Sequence, residues 1–195
     1  MAALLLSATR QDEEQTSSLF EPRVISSEAR KNCQRAVFLD FDGVLHPPSA
    51  IEGARPPLTP LEIRNGWPGT FVHLPILQEL LVGSRNVGVV VSSSWRMFLN
   101  DEQIGELLKP ISRWYVGTTG CAYLGRDIAI QKWLQVNSID DFVVLDDMKS
   151  YFPGPWPTLI LCDPTAGISN PSVQEQIQGW LCRARKASTS EPPVS

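Results

Sequence analysis

Ala36-Val37-Phe38-Leu39-Asp40-Phe41-Asp42-Gly43-Val44-Leu45 decides the reading of this chain. An apolar run ends in an aspartate, a second aspartate follows two residues on, and a glycine comes next. Side chains two apart in a strand share a face, so an extended chain would point Asp40 and Asp42 the same way. Gly43 instead predicts a turn, which leaves both carboxylates at the C-terminal end of a strand. Two carboxylates this close are costly unless a cation lies between them or one keeps its proton. The residue types therefore suggest a hard divalent metal held by oxygen. Asp and Gly are also ordinary turn residues, so the stretch alone leaves a plain surface turn open.

Two further runs shift the balance. Val87-Gly88-Val89-Val90-Val91 leads into Ser92-Ser93-Ser94-Trp95-Arg96, and Phe142-Val143-Val144-Leu145 leads into Asp146-Asp147. Open α/β sheets bind ligands outside the carboxyl ends of their strands. Parallel strands here would bring acids and hydroxyls to one edge. The wider pattern predicts strands over 36–40, 87–91, 114–117, 142–145 and 158–162, and helices over 75–81, 101–108, 126–136 and 171–182. That alternation implies an α/β domain, with crossover helices joining the strands of a largely parallel sheet. Residues 46–70 carry Pro47, Pro48, Pro56, Pro57, Pro60 and Pro68 and read as a long loop over the site. Composition predicts a flexible extension over 1–33, with a short helix near 26–32, the domain proper over 34–185, and a disordered tail over 186–195.

From residue 36 to 181 the chain resembles the haloacid dehalogenase (HAD) superfamily, whose phosphatases use an aspartate nucleophile. Residues 38–44 match its first motif, the serines after Val91 its second, and Asp146-Asp147 its acidic fourth. Ser-Ser-Ser-Trp-Arg and the later Arg126-Asp127-Ile128, followed by Lys132-Trp133-Leu134, resemble a small capless branch that occurs alone or fused to RNA-repair enzymes. The resemblance implies a three-layer α/β/α, Rossmann-like fold around a mostly parallel five-stranded sheet. No cap domain fits into the remaining chain, so the site is expected to be open.

The resemblance also implies roles. Asp40 would be the nucleophile and Asp42 the general acid, then base. Mg2+ would be held by Asp40, the Asp42 carbonyl and Asp146, with Asp147 as a further or outer ligand. A serine hydroxyl from Ser92 or Ser93 would hold a phosphate oxygen; related patterns favour Ser93, two before the tryptophan. Arg96 would contact substrate or pair with a surface acid. The basic residue offsetting phosphate charge would be Arg126 or, second, Lys132. The substrate would be phosphorylated, either a small molecule or a nucleic-acid end.

Composition narrows the alternatives. The 195 residues are 43% hydrophobic, enough for one α/β domain with a full core, and the formal charge of −4 gives no basic footprint for nucleic acid. Cys33, Cys121, Cys162 and Cys182 are widely spaced and form no C-x-x-C pair, which predicts an intracellular, reduced, cytoplasmic setting. His46 and His73 are the only histidines, so zinc and Ser-His-Asp chemistry lack raw material. His73 reads as a packed or turn histidine; His46 either lines the site or sits in a loop. Trp67 and Trp156, flanked by Pro and Gly, are placed near the pocket mouth, with plain packing the alternative. No apolar stretch reaches the roughly 18 residues of a membrane span. No obligate protein partner is readable. The functions that fit are a Mg2+-dependent phosphomonoester hydrolase, a binding or regulatory module with little turnover, and a receiver domain phosphorylated on aspartate. A nucleic-acid end phosphatase is a narrower form of the first.

Overall fold

The apolar, β-branched runs form five strands in the computed structural model, which describes residues 21–55, 58–120 and 123–187. They are β1 (Arg35–Leu39), β2 (Val87–Val91), β3 (Tyr115–Thr118), β4 (Asp141–Asp146) and β5 (Leu159–Leu161). One sheet results, in the order β3-β2-β1-β4-β5, with every pairing parallel. All residues of β1 and β2 are buried, as strands covered on both faces must be.

Among the described residues six helices flank the sheet: α1 (Ser27–Asn32), α2 (Pro60–Gly66), α3 (Leu74–Leu81), α4 (Asp101–Leu107), α5 (Arg126–Asn137) and α6 (Pro171–Ala187). Strand alternation sorts the core into two layers. Val37, Leu39, Val89, Val91, Val143 and Leu145 pack against α2, α3, α4 and α6. Ala36, Phe38, Val90 and Val144 face the other way, onto Ile130 and Trp133 of α5. The edge of Phe38 meets the Trp133 ring at 5.3 Å. The architecture is therefore three-layer α/β/α, as the resemblance implied.

Register positions the site. Leu39 pairs with both Val91 and Leu145, so β1, β2 and β4 run level. The next residue of each is Asp40, Ser92 and Asp146, side by side at the carboxyl edge. At the opposite edge a different charged group is structural: Arg35 Nε donates to Asp141 at 2.5 Å and its guanidinium lies 3.8 Å over the Trp180 ring, tying α6 to the sheet.

Three expectations change. Residues 46–70 are not one loop: a 3-10 turn spans Pro48–Ile51, and α2 begins at Pro60 behind a capping box in which Thr59 and Glu62 bond each other's backbone. Thr-Pro-x-Glu with proline at the first helical position is a readable start signal that the proline count obscured. Residues 21–33 pack on the domain instead of trailing from it. Arg23 N–H donates to Thr119 O at 3.2 Å, Ile25 N–H donates to Asn137 Oδ1 at 3.0 Å, and Ile25 is buried. Helix α6 continues to Ala187, into the segment expected to be tail. Residues 1–20 and 188–195, and Cys121, lie outside the described residues. Cys33, Cys162 and Cys182 are free. Among the described residues no helix is long and apolar enough to cross a membrane.

Candidate active site

Asp40 follows β1 directly and is 2% exposed; Asp146 ends β4 and is fully buried. Oxygens of Asp40, Asp146 and the half-buried Asp147 lie within 4.8 Å of one another. Burial pushes the Asp40 carboxyl above the usual range, against the pull of Arg126, a Ser93 hydrogen bond and the Phe41 N–H. Burial, then the Asp40 charge, pushes Asp146 up to about 7. Asp147 is raised by the same two causes. Cys162, beside this cluster, is pushed up to about 12, chiefly by burial, and is chemically quiet.

Arg126 opens α5, next to Gly125, and is itself buried. Its Nη1 donates to both Asp40 Oδ2 and Asp146 Oδ2. Tyr151, the last residue of the 3-10 turn Lys149–Tyr151 that follows β4, puts its ring 4.7 Å from this guanidinium. One buried cation thus faces three acids, which leaves an excess of negative charge. Gly43 explains how the third acid approaches: it has φ +69, and a Cβ there would run into the Asp147 carboxyl. An all-oxygen donor set with surplus negative charge fits a hard divalent cation such as Mg2+.

The serines divide the work. Ser93 is fully buried, bonds Asp40 and accepts from Trp95 N at 3.4 Å, so it caps the following 3-10 turn Ser94–Met97 as well. Ser92 Oγ is buried with no hydrogen-bond partner, the one such hydroxyl among the described residues. A buried orphan hydroxyl level with Asp40 is a donor waiting for an acceptor.

Asp42 stands apart from the acid cluster. It is 28% exposed at the side chain, and both its oxygens are held. Trp95 Nε1 donates to Oδ2 at 2.9 Å, and His46 Nε2 lies 3.2 Å from Oδ1. His46 is fully buried.

The chain matches a family model described as the HAD domain in Swiss Army Knife RNA repair proteins, over residues 36–173. It belongs to this family. No curated protein and no solved structure matched the chain.

Within this HAD domain two candidates fall away from the acid cluster. Lys132 is exposed on α5, two turns from Arg126. Arg96 is buried, but it donates to the carbonyls of Ser92, Ser93 and Gly120, which pins the turn after β2. Trp156, partly buried, packs on Phe142 and Phe152 at the α5-side core. Trp67 lines a cavity of about 330 Å³ with Arg64, Thr70 and Phe71. His73 heads α3. Asp163 accepts from Thr165 N and Ala166 N and so shapes the turn after β5. Sequence reasoning missed the Trp95 and His46 contacts to Asp42 and the part of Tyr151. Only the four-residue step from Asp42 to His46 is a local signal.

Proposed function

We propose that this HAD domain is a Mg2+-dependent phosphomonoester hydrolase that works through a phosphorylated Asp40. The observation that carries the reading is the buried Asp40 carboxylate, level with Ser92 and Asp146 and held by Arg126 and Ser93. Asp40, the Asp42 carbonyl and Asp146, with Asp147 beside them, would hold the ion. When bound, it supplies charge that lets a carboxylate approach a phosphate dianion.

An Asp40 oxygen attacks phosphorus in line with the ester oxygen; the new O–P bond forms as the ester P–O bond breaks. Asp42 gives a proton to the departing oxygen. Water then attacks phosphorus, Asp42 takes its proton, and the bond to Asp40 breaks to release inorganic phosphate. Ser92 and Arg126 donate to the non-bridging oxygens as their charge shifts, while the Ser93 hydroxyl stays on Asp40. The family description places such domains in RNA repair proteins, which makes a phosphorylated nucleic-acid end the first substrate class to try, beside small esters.

The test is phosphate release from small esters, nucleotides and 3′- or 5′-phosphorylated oligonucleotides, with wild type and Asp40→Asn, in Mg2+ and in EDTA. Release that needs both Asp40 and metal is the expected result. Turnover that survives in folded Asp40→Asn overturns the mechanism. No release from any ester by folded wild type in Mg2+ favours a binding or regulatory module.

A further inference from the structure

We infer that His46 and Trp95 are positioning residues that clamp both carboxylate oxygens of Asp42, and that the backbone N–H of Phe71 sets the His46 tautomer which makes the clamp possible. The inference rests on the reading of Asp42 as the proton donor to the leaving group.

The three parts come from separate segments. His46 closes the Asp-x-Asp loop, where Gly43 N–H donates to His46 O at 2.8 Å. Trp95 lies in the 3-10 turn after β2. Phe71 lies in the turn that leads into α3 and has φ 58, a left-handed backbone that a bulky aromatic residue rarely adopts. Its backbone N–H donates to His46 Nδ1, 3.3 Å away. An N–H can only donate, so Nδ1 carries no proton and the ring proton sits on Nε2. Nε2 is therefore a donor, and it faces Asp42 Oδ1. Indole Nε1 is a donor only, and it faces Oδ2.

The rings that deliver these donors are fixed by one another. Phe71 packs at 5.1 Å on His46, 5.1 Å on Phe41 and 5.5 Å on Trp95, and His46 meets Trp95 at 5.6 Å. His46 and Trp95 are buried, so neither can swing out to water. Asp42 cannot rotate its carboxylate without losing both bonds, while its remaining exposed edge faces outward. Strain at Phe71 persists because this ring cluster holds it, a pattern found where geometry serves chemistry. Trp95 is also bonded through its N–H to Ser93, which touches Asp40, so the clamp is indexed to the nucleophile.

Proton donation matters most when the leaving oxygen is basic. The test is kcat/KM for 4-nitrophenyl phosphate and for an alkyl phosphate, with wild type, Trp95→Phe, His46→Leu and His46→Gln. Gln can return an N–H near the Nε2 position. Trp95→Phe and His46→Leu are expected to lower the alkyl value by about 10- to 100-fold and the aryl value by less than about 3-fold, with His46→Gln recovering most of the loss. Equal losses on both esters, or none, in folded variants overturn the inference.

A second measurement does not need turnover. In 15N-histidine-labelled, metal-free protein, long-range 1H–15N correlations of His46, assigned by its loss in His46→Gln, are expected to show a bare Nδ1 and a protonated Nε2. A proton on Nδ1 overturns the clamp. A folded wild type that hydrolyses neither ester overturns the hydrolase reading and the catalytic half of this inference, and the tautomer spectrum alone then decides the clamp.

Discussion

Replacing Asp146 by Asn is expected to stabilise the metal-free protein at pH 8, although it removes half of a buried ion pair. Asp146 is fully buried, and its carboxyl rises from 3.8 to about 7, first through burial and then through the charge of Asp40. The pull of Arg126 already enters this balance as the opposing cause. Between about pH 4 and 7 the folded protein therefore holds a proton that the unfolded chain has released. Where the folded state binds more protons, stability falls as pH rises, by about 1.36 kcal/mol per pH unit. The contribution is complete below about pH 4 and gone above about pH 7. Over that span the loss is on the order of 4 kcal/mol, a large share of the ~5–15 kcal/mol that holds a domain together.

Asn has no charge at any pH and keeps an oxygen for the Met148 N–H, which Asp146 Oδ1 now accepts at 2.9 Å. The assay is urea unfolding in EDTA at 25 °C, from pH 4.5 to 8.5, with wild type and Asp146→Asn side by side. Their difference removes every titration they share. It is expected to grow steadily in favour of the variant up to about pH 7 and then level off. In saturating Mg2+ the gap is expected to narrow, because an ion that binds the ionised acids stabilises wild type more than a variant with one acid fewer. A wild type that matches or exceeds the variant at pH 8 in EDTA, or a difference that does not change with pH, refutes the account of a surplus buried charge.

Two more outcomes follow from the placement of single residues. Gly43→Ala forces a Cβ into a backbone with φ +69 and into the Asp147 carboxyl; it is expected to cost about 1–3 kcal/mol of stability and to reduce the rise in Tm that Mg2+ gives, both read by thermal unfolding. Lys132→Ala is expected to keep phosphate release within about 2-fold of wild type, because Lys132 is exposed on α5. Arg126→Ala, which removes the cation that bridges Asp40 and Asp146, is expected to lower it by about 100-fold or more. The reverse order of those two losses would return the phosphate-facing role to Lys132.

What the sequence revealed and what it hid follow from one physical division. Asp40 and Asp146 were legible because each ends an apolar run, and parallel strands in register carry run ends to one edge; among the serines the sequence favoured Ser93, and only the register puts Ser92 level with Asp40. The reading needed only a period of two and the convergence of strand ends. Arg126 was legible by position, just after a glycine at a helix start, while the choice against Lys132 needed the third dimension: both lie on one helix, and only one is buried. Helix α2 was hidden by its own prolines, although Thr59-Pro60-Leu61-Glu62 contains both halves of its cap. Arg96 looked like a ligand residue because it is a cation in a motif, yet three backbone carbonyls claim it.

Of the hold on Asp42, spacing shows only the four-residue step to His46 and nothing of Trp95, and the reason bears on what the motif encodes. Asp40 and Asp42 look equivalent as a pair of acids two apart, but the fold treats them oppositely. Asp40 is buried against a cation and other acids, where charge is the problem to be balanced. Asp42 remains partly exposed, and two neutral donors from buried rings fix its direction. A nucleophile needs its charge managed, whereas a proton carrier needs its geometry managed. On the proposed mechanism, Trp95 and His46 would therefore serve the chemistry of the second aspartate as much as Arg126 and Asp146 serve that of the first. The buried tryptophans divide accordingly: Trp133 packs, and Trp95 packs while aiming its indole N–H at Asp42.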